Sequence, residues 1–189
     1  MKFNSARSFV NGYAGVKMGG KWGFINRKGE IVVKCVYDKI KDFSEDVVAV
    51  EKSEVWGVVD NKGMHVLNFW FAFIGPCRNG IIRARDANDE FFFYNKQGDR
   101  QMAESFKYAR DFSDGMAAVK ENGLWGYINT DGEMIIKPWY QAAFDFQSGS
   151  ARVKKSCKWG LINKQGEFVI DPIYRNIEGP YDVEDWQKQ

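Results

Sequence analysis

The chain alternates short apolar runs with short polar clusters, and this pattern repeats with a period of about 34 residues. In the first full copy, the apolar runs occupy residues 14–17, 21–26 and 30–33. Their polar and apolar residues alternate with a period near two, which predicts short β-strands. Gly and polar residues separate the runs and predict hairpins between them. No long amphipathic helix is predicted.

The most regular element of the repeat is an Asn or Asp followed three residues later by Gly. It occurs at Asn26–Gly29, Asp60–Gly63, Asn95–Gly98, Asn129–Gly132 and Asn163–Gly166. The Asn or Asp side chain can accept a hydrogen bond from the backbone two residues on. The Gly can take the left-handed conformation that a bulged hairpin turn requires. The element therefore predicts a tight turn between the second and third strands of each copy.

Aromatic residues keep the same register as these turns. Four residues before each turn stand Trp22, Trp56, Phe91, Trp125 and Trp159, and all but Phe91 precede a Gly. A Gly beside so large a side chain predicts the close approach of an aromatic ring or a neighbouring backbone. Further along each period stand Phe43, Cys77, Phe112, Phe146 and Pro180 at one shared position. Repetition of these residues predicts a continuous core, because stacked copies bury faces that one copy leaves open.

The predicted fold is all-β, with five three-stranded antiparallel β-meander repeats of about 34 residues each. We expect them to stack as an open array or solenoid; the alternative is a five-bladed propeller-like ring, for which such repeats are short. The connectors suit a helical turn, an irregular loop or a short fourth strand. One domain is predicted over residues 1–189, with repeats at 9–42, 43–76, 77–111, 112–145 and 146–180 and a tail at 181–189.

These residues resemble the WG-repeat (KWG-type) family of bacterial repeat proteins. The resemblance rests on Lys21–Asn26 with Gly29-Glu30, Leu124–Asn129 with Gly132-Glu133, and Lys158–Asn163 with Gly166-Glu167. It extends from about Phe3 to Pro180, but it weakens at copies two and three. It implies an all-β binding or scaffold module with no general set of catalytic residues.

Composition narrows the functional classes only slightly. The chain has 189 residues, 27 Lys and Arg against 25 Asp and Glu, and a formal net charge of +2. This balance is too weakly basic to imply a nucleic-acid partner. No apolar run is long enough for a membrane-spanning helix, so no membrane insertion is expected. We expect a cytoplasmic protein from the absence of a signal-like start and the odd number of Cys, although a cleaved or trimmed chain would look the same.

The chemistry-bearing residues do not form a recognisable catalytic or metal-binding pattern. His65 is the one His, and it falls in a predicted strand. Cys35, Cys77 and Cys157 fall at three different positions of the repeat, so repetition does not gather them into a zinc site. We therefore expect no enzyme activity, no metal and no cofactor.

Interaction residues are predicted where the chain departs from its own repeat. Copy three has Phe91-Phe92 in place of Trp-Gly, and the preceding segment is rich in aromatic and Arg residues, which are common anchors of interfaces. The candidate partner-binding residues are Trp70, Phe73, Arg78, Arg83, Arg85, Phe92 and Trp139. Trp70 and Trp139 occupy the same position of the repeat. The alternative is that a degenerate copy packs its core differently.

Two functional hypotheses follow from these observations. The first is a non-enzymatic protein-binding or scaffold module, which could take the form of an inhibitor or immunity-type partner of another bacterial protein. The second is a module for carbohydrate or cell-envelope ligands, with Trp70 and Trp139 as stacking platforms. Neither the partner nor the oligomeric state can be read from the residues.

Overall fold

The computed structural model describes residues 3–175, which form β-strands joined by turns and short connectors. The all-β prediction is confirmed. The chain divides into two compact units, residues 1–100 and residues 101–189. The predicted repeat position Pro180 and the tail 181–189 lie outside the described residues.

The first unit contains three antiparallel sheets. The first sheet has the order β1 (Ser5–Val10), β2 (Tyr13–Met18), β3 (Lys21–Asn26) and β4 (Ile31–Tyr37). The second sheet has the order β5 (Lys39–Ile40), β6 (Val47–Lys52), β7 (Val55–Asp60) and β8 (His65–Phe71). The third sheet consists of β9 (Phe73–Arg78), β10 (Ile81–Arg85) and β11 (Phe91–Asn95), with β10 in the middle.

The second unit contains two antiparallel sheets of the regular kind. The fourth sheet has the order β12 (Tyr108–Ala109), β13 (Met116–Glu121), β14 (Leu124–Asn129) and β15 (Met134–Tyr140). The fifth sheet has the order β16 (Ala142–Ala143), β17 (Ser150–Lys155), β18 (Lys158–Asn163) and β19 (Phe168–Tyr174).

The prediction of three strands per copy needs two corrections. The four regular sheets each contain the three predicted strands and a further strand beside them. In three of these sheets the extra strand is a two-residue piece of the connector, namely β5, β12 or β16. The third sheet has three strands, but its outer member β9 also comes from the connector and not from the segment after the turn. The choice between an open array and a ring stays a prediction.

The predicted Asn-x-x-Gly turns are present. In the first copy, the Asn26 side-chain oxygen accepts hydrogen bonds from the backbone N–H of Lys28 (2.9 Å) and Glu30 (3.1 Å). The Gly29 N–H donates to the Asn26 carbonyl over 3.0 Å, and Gly29 has φ +80°. The other four turns repeat this pattern of bonds. The turn survives even in the third copy, because its hydrogen bonds are local and independent of the neighbouring strands.

The Gly of each Trp-Gly pair is required by a close backbone approach. A Cβ on Gly23 would overlap the Val33 carbonyl oxygen and would lie 2.7 Å from the Cys35 nitrogen. On Gly57 it would lie 2.9 Å from the Leu67 carbonyl oxygen. The structure thus shows the predicted approach of a neighbouring backbone, and at Gly57 it also shows the predicted approach of an aromatic ring, since the Phe69 ring would lie 3.1 Å from the same Cβ.

The approaching backbone belongs to a bulge in the last strand of each regular sheet. In the first sheet Trp22 pairs with Tyr37, but Phe24 pairs with Val33. The strand β4 therefore has extra residues opposite Gly23, which form the bulge. The second, fourth and fifth sheets show the same shift. A bulge changes the direction of the side chains it carries. The residue just before the paired aromatic lies within this bulge, on the outward-facing side of the strand.

Neighbouring sheets within a unit pack face to face and bury both sides of their middle strands. In β6, Val48 and Val50 join a core cluster with Phe24 and Phe43, whereas Val47 and Ala49 join a different cluster with Phe71, Ile74 and Ile82. The fourth and fifth sheets share a third cluster around Tyr127 and Phe146. Successive residues of a strand point to opposite faces, so one strand serves two cores. The predicted stacking of copies is thus observed inside each unit.

Candidate binding surfaces

Both tryptophans among the predicted site residues, Trp70 and Trp139, are exposed. The exposed fractions are 56% for Trp70 in β8 and 59% for Trp139 in β15. Both residues lie in the bulge that crosses the glycine, immediately before the paired aromatic Phe71 or Tyr140. Their exposure follows from the alternation of inward and outward side chains along the last strand, at the point where it crosses the glycine.

Two further residues at the same bulge position were missed by sequence reasoning. Val36 in β4 is 42% exposed, and Ile173 in β19 is 65% exposed. The signal was available, because both occupy the repeat position of Trp70 and Trp139. Thus the four regular sheets each present a large apolar side chain at this position. We call these residues, Val36, Trp70, Trp139 and Ile173, the bulge residues. Trp70 belongs to the first unit and Trp139 to the second.

Three of the predicted residues lie together on one face of the third sheet. The Arg83 guanidinium lies 5.4 Å from the ring centre of Phe73 and 4.8 Å from that of Phe91. Arg85 pairs with Asp89 and lies 5.9 Å from the Phe91 ring. The Lys41 ammonium lies 4.0 Å from the centre of the Phe73 ring. Such cation–π contacts each contribute about 0.5–1 kcal/mol at partly exposed sites. Phe73, Arg83 and Arg85 thus already stabilise their own sheet.

Phe92 does not belong to that surface. It pairs with Ala84 in the register, whereas Phe91 pairs with Arg85, so Phe92 points to the opposite face. Its ring packs against the core cluster between the second and third sheets, and the Arg100 guanidinium lies 4.6 Å from the ring centre. The predicted group of interface residues is therefore divided between two faces of the sheet.

Arg78 is the remaining predicted residue, and it lines a pocket that sequence reasoning did not anticipate. The pocket has a volume of about 330 Å³ and lies in the first unit. Lys41, Asp42, Cys77 and Arg78 are among its lining residues. The available signal was Cys77, which stands where other copies have Phe.

The candidate catalytic residues remain scattered. His65 is exposed in β8, and its ring lies 5.4 Å from that of Phe69. Cys35, Cys77 and Cys157 are free cysteines. Within residues 3–175 no group of His, Cys, Asp and Glu could hold a metal ion. The same residues contain no helix of the length and apolarity needed to cross a bilayer.

The perturbed ionisable groups have structural explanations. Burial raises the pKa of the Cys77 thiol to about 12, and the nearby Glu45 carboxylate acts in the same direction. A thiol with so high a pKa is a poor nucleophile near neutral pH. A hydrogen bond from Lys164 and one from the Gly149 N–H lower the pKa of Asp114. Burial raises the pKa of Tyr127, whose hydroxyl donates to the Phe144 carbonyl over 2.7 Å.

The repeat can now be compared with known families. The family described as WG containing repeat matches residues 1–22, 22–55, 105–125, 125–156 and 159–185. The chain belongs to this WG-repeat family. The matched segments leave out residues 56–104, which contain most of β7 and all of β8 to β11, and therefore the whole third sheet. No curated protein matches the sequence.

Solved structures of similar fold are only distantly related in sequence. Kluyveromyces lactis Hsv2p has a TM-score of 0.51 at 12% identity, over 86% of this chain and 62% of that one. Kluyveromyces marxianus Hsv2 also has a TM-score of 0.51 at 12% identity, over 97% of this chain and 64% of that one. This WG-repeat chain thus spans less than two thirds of either protein. These neighbours are β-propeller-like, and the likeness concerns the fold alone.

Proposed function

We propose that this WG-repeat chain is a non-catalytic module that binds another protein through its bulge residues. The observation that carries the proposal is the recurrence of a large exposed apolar side chain at one position of the four regular sheets. Single exposed apolar residues are ordinary on protein surfaces. Recurrence at one structural position is different, because the same bulge presents each of these side chains in the same way.

The two tryptophans are the expected anchors. Trp is among the residues most enriched at interface positions that dominate binding energy. Each bulge sits on the last strand of its sheet and is supported by the fixed contact with the glycine beneath it. A side chain held on a rigid strand loses little conformational entropy when a partner covers it.

Binding to a purified partner tests the proposal. The immobilised full chain captures candidate partners from a lysate. A protein that is captured in a fixed molar ratio to the chain is then purified for calorimetric titration. We expect Trp70→Ala or Trp139→Ala to weaken its Kd by about thirtyfold, the effect of removing a dominant interface residue.

Matched controls remove other exposed apolar side chains. Met64 lies in the turn before β8, and Tyr108 lies in the short strand β12; both are exposed. Met64→Ala and Tyr108→Ala should leave the Kd within about twofold of the unsubstituted chain. If both tryptophan variants bind as tightly as these controls, the bulge residues are not the binding surface.

The inhibitor or immunity-type role is a finer form of the same proposal. It requires that the captured partner be an enzyme or a toxin whose activity falls when the chain binds. An activity assay of the purified partner, with and without the chain, decides this point. A partner whose activity is unchanged leaves a scaffold role and removes the inhibitor role.

A carbohydrate ligand is the second candidate, favoured by the exposed rings of Trp70 and Trp139. Flat aromatic rings on a surface can stack against the apolar faces of sugars. Titration with a broad glycan panel should then quench the tryptophan fluorescence, and the quenching should decrease in Trp70→Ala or Trp139→Ala. An unchanged spectrum across the panel contradicts the carbohydrate hypothesis and does not affect the protein-binding hypothesis.

A further inference from the structure

The pocket in the first unit lies beside a departure in the repeat. At one repeat position the regular copies have Phe43, Phe112 and Phe146, and all three rings are buried. The third copy has Cys77 at this position, and Cys77 is one of the residues that line the pocket. Replacement of a phenyl ring by a thiol leaves unfilled volume unless the surroundings collapse. The volume of about 330 Å³ falls at the small end of known ligand sites.

The walls of the pocket are held in place by hydrogen bonds. The Ser44 hydroxyl donates to the Cys77 carbonyl over 2.6 Å, and the Asn11 side-chain amide donates to the Phe43 carbonyl over 2.7 Å. The Lys41 ammonium donates to the Ile74 carbonyl over 2.5 Å. These bonds join three successive sheets of the unit. The pocket is therefore preformed, and a ligand would not need to order it.

The floor and the mouth of the pocket differ in polarity. Val47, Val58 and Ile82 line the pocket and are buried, so they offer it an aliphatic floor. Arg78 and Asp42 line it and are exposed to solvent. Lys41 also lines it, but its ammonium is bonded to the Ile74 carbonyl, and the Glu45 carboxylate is hydrogen-bonded to the Cys77 thiol, so Arg78 is the cationic group that the mouth offers to a ligand. An apolar floor beneath a mouth that carries the Arg78 guanidinium suits a small amphipathic anion.

We infer that this pocket binds small carboxylates with an apolar body, with the body over the aliphatic floor and the carboxylate near Arg78. The Arg guanidinium is a strong and directional partner for a carboxylate. Asp42 lowers the affinity for the anion by like-charge repulsion. None of the bulge residues lines the pocket, so this inference does not depend on the proposed protein-binding surface.

An NMR titration of the full chain tests the inference. The probes are 4-methylpentanoate and 3-phenylpropanoate, each compared with its neutral amide. We expect saturable shifts of the Gly75, Cys77 and Arg78 backbone amides with the acids and a Kd at least about fivefold weaker for the amides. A tripeptide ending in leucine, with a free or an amidated terminus, shows whether a protein C-terminus can supply the same chemistry.

Two surface variants make the charge argument decisive. Arg78→Ala should weaken acid binding by about fivefold or more, whereas Asp42→Asn should strengthen it by about twofold to fivefold. Arg27 is an exposed Arg in the β3–β4 turn and does not line this pocket, so Arg27→Ala is the matched control with unchanged affinity. Equal binding of acid and amide, or no effect of Arg78→Ala, overturns the inference.

Filling the pocket provides an independent check. Cys77→Phe restores the residue found in the regular copies, and it should abolish the shifts at Gly75 and Arg78. The circular dichroism of this variant shows whether it is folded. If folded Cys77→Phe binds the acids as well as the original chain, the ligand lies elsewhere and the inference is wrong. If the variant does not fold, the opposite effects of Arg78→Ala and Asp42→Asn decide the question.

Discussion

The second and third sheets are neighbours in the first unit, and they differ at the residue that follows the aromatic of the motif. In the second sheet Gly57 follows Trp56, and the bulged strand β8 passes directly over it. In the third sheet Phe92 follows Phe91, and no equivalent last strand is part of the sheet. Within the first unit, the pairing beyond the β11 turn is a single bridge between Tyr94 and Arg100. A phenyl ring occupies the space that the close backbone approach requires.

The third sheet has a longer strand at its connector side than the second sheet has. Its connector strand β9 has six residues, whereas the corresponding β5 of the second sheet has two. Arg83, Phe73 and Phe91 form a stack on one face, and Phe92 packs into the core on the other. The glycine is thus present in the sheets whose last strand carries the bulge and is replaced by Phe92 in the sheet that lacks that strand. The bulge residues accordingly occur only in the regular copies.

The largest effect is expected from a side chain placed under the bulge. Gly23→Ala should destabilise the fold by about 3 kcal/mol, because the new Cβ overlaps backbone atoms of β4 that have little freedom to move. Urea unfolding followed by tryptophan fluorescence and circular dichroism measures the change. Gly15→Ala is the matched control, since the nearest atoms to its Cβ belong to the side chains of Ile40 and Arg7 and not to backbone, and it should cost less than about 1 kcal/mol. Equal losses in the two variants would refute the backbone explanation.

The next effect concerns the ring that replaces the glycine in the third sheet. Phe92→Gly should cost about 2 kcal/mol, because a partly buried phenyl ring and its contact with Arg100 are lost. Phe92→Leu retains most of the apolar volume and should cost less than about 1 kcal/mol in the same unfolding assay. A neutral Phe92→Gly would mean that the ring does not help to hold the third sheet.

A smaller and equal effect is expected at the turns, which the two kinds of sheet share. Asn95→Ala in the third copy and Asn129→Ala in the fourth each remove two side-chain hydrogen bonds to backbone N–H groups. Each should lower the free energy of unfolding by about 1–2 kcal/mol. Thr130→Ala, in the same turn as Asn129, should change stability by less than about 0.5 kcal/mol. A much smaller loss at Asn95 would show that the third copy does not rely on its turn.

The smallest effect concerns the connection into a regular sheet and depends on pH. Asp114 accepts a 2.7 Å hydrogen bond from the Gly149 N–H and forms a 2.9 Å ion pair with Lys164, which together lower its pKa. A group with a lowered folded-state pKa stabilises the protein above the ordinary Asp pKa of 3.8. This contribution is lost as the pH falls through the folded-state pKa.

Asp114→Asn should therefore lower the melting temperature at pH 7 and have less effect at pH 3. The expected change at pH 7 is under about 1 kcal/mol, because the pair is partly exposed to solvent. Asp131→Asn, an exposed residue in the β14–β15 turn, should show no such pH dependence. An equal effect of Asp114→Asn at both pH values would exclude the ionised carboxylate as the cause.

The sequence allowed accurate prediction where the structure depends on neighbouring residues. The Asn-x-x-Gly turns, the strands beside them and the need for a Gly after Trp all follow from local backbone geometry. The predicted binding residues fared less evenly. Trp70 and Trp139 are exposed. In contrast, Phe73, Arg83 and Arg85 make contacts within their own sheet, and Phe92 faces the core. Residue type alone could not separate these cases, since aromatic and Arg residues serve surfaces and sheet packing alike.

The sequence by itself therefore determined the repeat, its turns and its all-β character, because short-range hydrogen bonds and a period-two apolar pattern specify them. Only the tertiary structure decided that the connectors add a strand, that the exposed apolar side chain of each regular sheet lies in a bulge, and that Cys77 lines a pocket. Each of these features depends on the distance between backbones or between stacked sheets. The connector strands and the bulge depend on pairing between strands of one sheet. The pocket depends on contacts between successive sheets, whose hydrogen-bonded residues stand 32 or 33 positions apart. No local pattern encodes either kind of packing.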